Sequence, residues 1–271
     1  MKSIVRALRH LVPASARPTH YLYSLVTSAA NGRVMTGPFA GLKYGPRAVC
    51  GAYLPRLVGC YEKELHPVLE ELVRLRFETI VDIGAAEGYY ACGLALRFPE
   101  SRVLAFEADG DARELLREMA DENGLVGRIE IRGFCDEPAL VASLDPEKAA
   151  LILCDCEGHE AEIMTPGVVA RLANTHVIIE THDFVRPGVH AMLTARLAAT
   201  HHVLEIQQQP RTLADWPVKS LACRLLPERR VLHELREGRP KDLAWIYARP
   251  RSGACPNPAA PFAGHSTALT R

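Results

Sequence analysis

The period of the apolar positions changes near residue 78. Before it, Tyr61 to Arg76 carries Leu65, Val68, Leu69, Leu72, Val73 and Leu75 at spacings of three and four, which predicts one amphipathic helix. Beyond it, short β-rich runs alternate with helical ones. Strands are predicted at Thr79–Ile83, Arg102–Phe106, Arg128–Arg132, Leu151–Cys154 and Val177–Glu180, with late ones at Val203–Ile206 and Leu243–Tyr247. Helices are predicted at Tyr90–Phe98, stopped by Pro99, at Asp111–Asn123, stopped by Gly124, from the fourth strand through Leu172, and at Val189–Ala199. Upstream, residues 1–30 read as helical with breaks at Pro13 and Pro18. Arg33–Thr36 and Leu42–Tyr44 read as two short strands about a Gly37–Gly41 turn.

Strands alternating with helices predict an α/β domain, a mostly parallel sheet covered on both faces. Such sheets bind ligands beyond the carboxyl ends of their strands, where the strand order reverses. Chemistry is therefore expected just after Ile83, Phe106, Cys154 and Ile179. Residues 1–60 form an N-terminal helical and hairpin extension in this reading. Residues 61–250 form the main domain, with an insertion at 210–240, and 251–271, rich in Pro, Gly, Ala and Ser, a flexible tail. Both the extension and the insertion are expected to cover an acceptor pocket, with Arg211, Trp216 and Arg224 as candidate contacts.

Composition narrows this picture modestly. Lysine plus arginine equals aspartate plus glutamate, 32 each, so no overall field draws the chain to nucleic acid, and no nucleic-acid partner is expected. No apolar run reaches bilayer length, and the start, with Lys2, Arg6 and Arg9 among apolar residues, reads as a docking helix. Eight scattered cysteines, several inside apolar segments, fit reduced thiols and a cytoplasmic location. Cys154-Asp-Cys156 lacks a second pair at zinc-site spacing, so no structural zinc is expected.

The most informative loop is Val81-Asp-Ile-Gly-Ala-Ala-Glu-Gly88, which ends the first strand and opens a helix. Glycines allow a tight turn and close approach of a ligand. About 20 residues on, Glu107 at the end of the second strand is placed to take ribose hydroxyls. A dinucleotide loop wants a second glycine where Ala86 stands. Asp82 and Glu87 flank the loop with negative charge, which repels a pyrophosphate and suits the sulfonium and ammonium of S-adenosylmethionine (SAM). The expected cofactor contacts are Asp82, Gly84, Ala85, Glu87, Gly88, Glu107 and Ala108. Cys135 and Asp136, after the third strand, would meet the adenine, with Asp136 the polar partner, and Asp155 would close the set.

Read in order, five blocks resemble the FkbM family of SAM-dependent methyltransferases: Gly59-Cys-Tyr-Glu-Lys-Glu-Leu65, Thr79 through Tyr90, Val103-Leu-Ala-Phe-Glu-Ala-Asp109, Leu153-Cys-Asp-Cys-Glu-Gly-His-Glu160 and Val177-Ile-Ile-Glu-Thr-His182. The resemblance spans about residues 59–183. It implies a Rossmann-like class I fold with a seven-stranded sheet, SAM as methyl donor, and an O-methyl product on a hydroxyl. The chain departs from the family's pattern at Ala86-Glu87 and has no counterpart for residues 210–240.

Asp155, Glu157, His159 and Glu160 follow the fourth strand, and Glu180, His182 and Asp183 follow the fifth. Neighbouring strands lie roughly 4.8 Å apart, so these ends can converge. His182 and Asp155 are the catalytic candidates, with His182 a general base for an alcohol acceptor. A divalent metal held by Asp155, Glu180 and His182 is the alternative. Tyr61, Glu62, Glu157 and Glu180 are expected on the acceptor side, and Glu160 is read as a favourable charge at a helix start. The expected acceptor is a small molecule or glycan. The competing functions are an NAD-linked oxidoreductase and a SAM-binding protein without methylation activity.

Overall fold

A computed structural model describes residues 18–49, 51–220, 226–240 and 243–251. The N-terminal docking helix up to residue 17, the tail from 252 onward and Arg224 lie outside the described residues. Seven strands form one sheet: β1 (Thr79–Ile83), β2 (Arg102–Phe106), β3 (Ile129–Arg132), β4 (Ala150–Cys154), β5 (Thr175–Thr181), β6 (His201–Gln207) and β7 (Ala244–Pro250). Their spatial order is β3-β2-β1-β4-β5-β7-β6, with β7 antiparallel to both neighbours and the β1–β5 pairings parallel. This is a Rossmann-like α/β fold, a parallel sheet with one antiparallel strand inserted near its edge. The order reverses between β1 and β4, so the crevice for a ligand opens there.

The alternation of side chains across the strands divides the interior in two. Ile80, Val103, Ala105, Leu151, Leu153 and Ile178 face one layer, and Val81, Leu104, Phe106, Ile152, Val177 and Ile179 face the other. The first layer holds α1 (Pro18–Ala30), α2 (Tyr53–Val58), α3 (His66–Leu72), α4 (Tyr89–Arg97) and α5 (Gly110–Glu122). Phe39, between α1 and α2, packs so tightly on α4 that a Cβ on Gly93 would come within 2.5 Å of its ring. The N-terminal extension thus shares the sheet's core. The second layer is built from α6 (Glu137–Ser143), α7 (Glu160–Ile163), α8 (Pro166–Val169) and α9 (Val189–Leu197). Within the insertion, a 3-10 turn at Leu213–Asp215 and α10 (Glu228–Glu234) fold back over the first layer, and α10 touches α1.

Most expected elements occur within one to three residues of their anticipated bounds, and three differ in kind. The helix expected over 61–76 is a 3-10 turn at Lys63–Leu65 followed by α3, because Glu62 adopts a left-handed φ of 45° and breaks the helix there. The helix expected after β4 is split into α7 and α8, since Pro166 starts a new helix capped by the Thr165 side chain. The expected 33–44 hairpin is a single antiparallel bridge, Arg33 to Lys43. By contrast, α5 shows why its boundaries are readable. Asp109 caps it by accepting from the Ala112 amide at 2.8 Å, Ala112, Leu116, Met119 and Ala120 are buried, and Gly124 ends it at positive φ. Among the described residues no helix is long and apolar enough to cross a membrane.

Candidate active site

A cavity of about 450 Å³ opens at the carboxyl ends of the strands. Its β1–β2 side is the loop 83–87 with Phe106, Glu107 and Ala108, and Phe134 and Cys135 continue it after β3. Its other side carries Asp155, Cys156 and Glu157 from β4, Glu180, His182 and Phe184 from β5, Arg56 and Tyr61 from the N-terminal part, and Glu237 to Pro240 from the insertion.

The loop is set by contacts between strand ends. Gly84 has φ 84°, and a Cβ there would lie 1.7 Å from the carbonyl oxygen of Asp155. The Asp155 amide donates to the Ile83 carbonyl at 2.9 Å, so β1 and β4 are locked together at the crevice. Glu107 reaches back across the loop. One carboxylate oxygen accepts the Ala86 amide at 2.8 Å and the other accepts the Asp109 amide at 2.7 Å. Each oxygen keeps a lone pair for a further donor.

Other expected cofactor contacts have structural work instead. Asp82 does not line the cavity. It is fully buried in β1 on the α4 side, where burial and the nearby Glu107 charge push its carboxyl up to about 7, with the Ala91 amide of α4 opposing. Gly88 caps α4 at φ 101°, with Leu116 pressed against it, and also lies off the cavity. Glu87 lines the cavity, but its carboxylate is ion-paired with Arg56 and accepts from the Tyr44 hydroxyl at 2.6 Å. Local charge around the loop is therefore not what Asp82 and Glu87 imply in sequence, because one is buried and the other neutralised. Asp136 caps α6 by accepting from the Ala139 amide at 2.8 Å, so Phe134 and Cys135 represent that turn in the cavity.

The acid–histidine cluster assembles as its strand-end placement anticipates. His182 is 2% exposed. Its Nδ1 meets Glu160 Oε1 at 2.6 Å, and its Nε2 faces Glu157 at 3.4 Å, Asp155 at 3.6 Å and Glu180 at 3.7 Å. Burial pushes the imidazole down, but the hydrogen bond and charge of Glu160, with Glu180 and Glu157, outweigh it and raise its pKa. Glu160, against its own burial, is held below the usual carboxylate range by His182 and by the Gly158 amide. Burial, with Glu180 and Glu62 nearby, pushes Asp155 well up.

Glu62 is buried behind the lining, bonded to the Tyr90 hydroxyl. Burial raises it to about 7 despite Arg239. Arg239 pairs with Glu180 and with Glu64 at 2.9 Å, and Arg211 joins Glu64 at 3.0 Å to Glu237. Arg211 is thus spent on tying the insertion to the 62–64 turn, and neither it nor Trp216 lines the cavity.

The sequence reading did not single out Glu160 as the partner of His182, nor Arg56, Arg239, Phe134 and Phe184 as cavity residues. The one local signal was aromatic. Phe134 and Phe184, 58% and 54% exposed, follow strand ends where a solvated loop has no use for them.

Comparison with known proteins leaves the family open. No family model matches the chain, and no curated protein sequence matches it. Among solved structures, an rRNA methylase from Streptococcus thermophilus matches at 14% identity, covering 69% of this chain and 96% of that one, with a TM-score of 0.46. The C-terminal domain of precorrin-6Y C5,15-methyltransferase from Rhodobacter capsulatus matches at 18% identity over 69% and 87%, TM-score 0.43. A methyltransferase from Geobacter sulfurreducens matches at 16% identity over 92% and 96%, TM-score 0.40.

Proposed function

We propose that this chain is a SAM-dependent methyltransferase that methylates a hydroxyl of a small molecule or glycan. The observation that carries the reading is the Glu107 carboxylate. It lines the crevice at the β2 end while accepting the Ala86 amide, so the amide that a dinucleotide loop would turn toward pyrophosphate is already used by an anion. A ribose diol can still donate to the remaining lone pairs of Glu107. Phe134 and Cys135 offer an apolar wall for a base, and the glycine at 84 lets the β1 and β4 ends close together at the foot of the cavity. These residues fit SAM.

When bound, SAM supplies an electrophilic methyl group on sulfur. The chain's residues supply position and a place for a proton. Asp155 stands between the cofactor half and the β5 half of the cavity, with His182, Glu157 and Glu180 beside it. Tyr61, Phe184 and Arg239 frame that end with aromatic and cationic surface. An alcohol held there would lie beside the acid–histidine cluster and would lose its proton to it.

The test is calorimetric and then catalytic. Titration should show binding of SAM and S-adenosylhomocysteine and none of NADH. Glu107→Ala should weaken SAM binding by about 1.5–3 kcal/mol, roughly 10- to 150-fold, through lost charge-assisted hydrogen bonds. Unchanged affinity in a folded variant removes Glu107 from the site. SAM binding without a methylated product across a panel of hydroxyl acceptors would favour a binding protein over an enzyme.

A further inference from the structure

The donor atoms around His182 are arranged as a ligand set. The Nδ1 of His182 is held by Glu160 at 2.6 Å, and Glu160, with its other oxygen unpartnered, is fully buried. A carboxylate on Nδ1 directs the ring's other nitrogen, as a lone-pair donor, away from that contact. That nitrogen, on a side chain 2% exposed, makes no hydrogen bond among the described residues. It faces oxygens of Glu157 and Asp155 at 3.4 and 3.6 Å. Asp155 Oδ1 is itself buried with no hydrogen-bond donor among the described residues, only the Glu180 carboxyl beside it. Opposite these carboxylates the ring meets their charge either with its own Nε2 hydrogen or, as a neutral ligand, with a cation held between the nitrogen and the oxygens. Ligand atoms about 2.1 Å from one metal ion lie roughly 3.0–3.5 Å from each other, so these separations need only a small contraction.

From this geometry we infer that Asp155, Glu157 and His182 bind one divalent cation at the acceptor end of the cavity. Their donor atoms lie within 4.8 Å of one another. Glu157, rather than the Glu180 anticipated from sequence, completes the set. Its left-handed backbone, φ 54°, turns its otherwise exposed side chain back over His182. Glu180 is held by Arg239. The other close acidic trio, Glu62, Asp155 and Glu180, has that same guanidinium beside it, which opposes a second positive charge. Two carboxylates neutralise a dication, and the imidazole favours a first-row transition ion of the Mn²⁺ type over Ca²⁺ or Mg²⁺. The open side of the site faces the cavity, so an acceptor oxygen can join the coordination and become more acidic there.

What the cation does rests on the methyltransferase reading; its binding does not. Full-length protein, stripped with chelator and free of SAM, is titrated with MnCl₂ while free Mn²⁺ is followed by electron paramagnetic resonance. One ion per chain is expected, with a nitrogen coupling that His182→Ala abolishes. Glu157→Gln, at a side chain 73% exposed and outside the core, should weaken binding about tenfold or more. No uptake of Mn²⁺ at millimolar concentration, or equal affinity in wild type, Glu157→Gln and His182→Ala, overturns the inference. Mn²⁺ binding in a protein that takes no SAM would sink the methyltransferase reading and leave the metal site standing.

Discussion

Gly84 illustrates how one position can answer to two constraints. Its φ of 84° already favours glycine, and the Asp155 carbonyl occupies the space where a side chain would begin. That obstacle is backbone at the β1–β4 junction and cannot rotate away. Gly84→Ala is therefore expected to cost about 3 kcal/mol or more and to pry the two strand ends apart. A urea melt checks the stability, and SAM titration of any folded fraction checks the site. A stability loss below about 1 kcal/mol would mean that the junction is looser than its contacts indicate. The same scale explains the fate of Asp82. Two residues before Gly84 in sequence it reads as a ligand contact, yet strand alternation sends its side chain into the α4 layer while the loop beyond it turns to the cavity.

Between elements, the decisive interactions are buried ion pairs joining segments far apart in sequence. Arg56 on α2 and Glu87 on the loop after β1 are 5% and 1% exposed, and the Tyr44 hydroxyl completes the group at Glu87. The Arg56 guanidinium also lies over the Tyr61 ring, 4.4 Å from its centre. Removing one partner strands the other charge in the core. Arg56→Met is expected to cost about 3–5 kcal/mol, whereas Arg56→Met combined with Glu87→Leu should recover a large part of it. Chemical denaturation of the two single variants and the double variant measures the coupling. Additive losses would show that the pair does not hold the loop to α2. This bolt matters for the site because Arg56, Tyr61 and Glu87 all line the cavity.

Across the whole molecule, the two ends of the sheet carry different duties. The carboxyl ends hold the charged cavity, whereas the other end of β5 holds a histidine kept neutral. His176 bonds the Tyr247 hydroxyl at 2.9 Å and packs edge-on to Phe77. Burial, then the charges of His201 and Arg249, lower its pKa to about 4. The unfolded chain, with an ordinary value near 6.5, takes up a proton first as pH falls. The stability from keeping His176 neutral is thus complete above about pH 6.5 and declines down to about pH 4, by roughly 3 kcal/mol. Raised carboxyls such as Asp82 and Glu62 act in the opposite direction over a similar range, so wild type alone does not isolate the effect. The stability difference between wild type and His176→Gln should shrink by about that amount between pH 7.5 and 4. Urea midpoints at several pH values measure it, and a constant difference would contradict a neutral buried His176.

The sequence by itself determined the alternation of strands and helices, the strand-end loops that line the cavity, and the meeting of Asp155, Glu180 and His182. These follow from side-chain periodicity, from glycine, proline and capping residues, and from the parallel neighbourhood of β4 and β5, all of which act over a few residues or one strand spacing. Only the tertiary structure decided which acids are free to act. Glu87 is paired with a residue 31 positions away, Glu180 with one 59 away, and His182 with one 22 away. No periodicity records such partners, because a charge's role depends on what packs against it after the chain has closed. The same holds for the 62–76 segment, whose apolar spacing allowed one long helix until the left-handed turn at Glu62 carried that side chain beneath the site, against Tyr90 and Arg239.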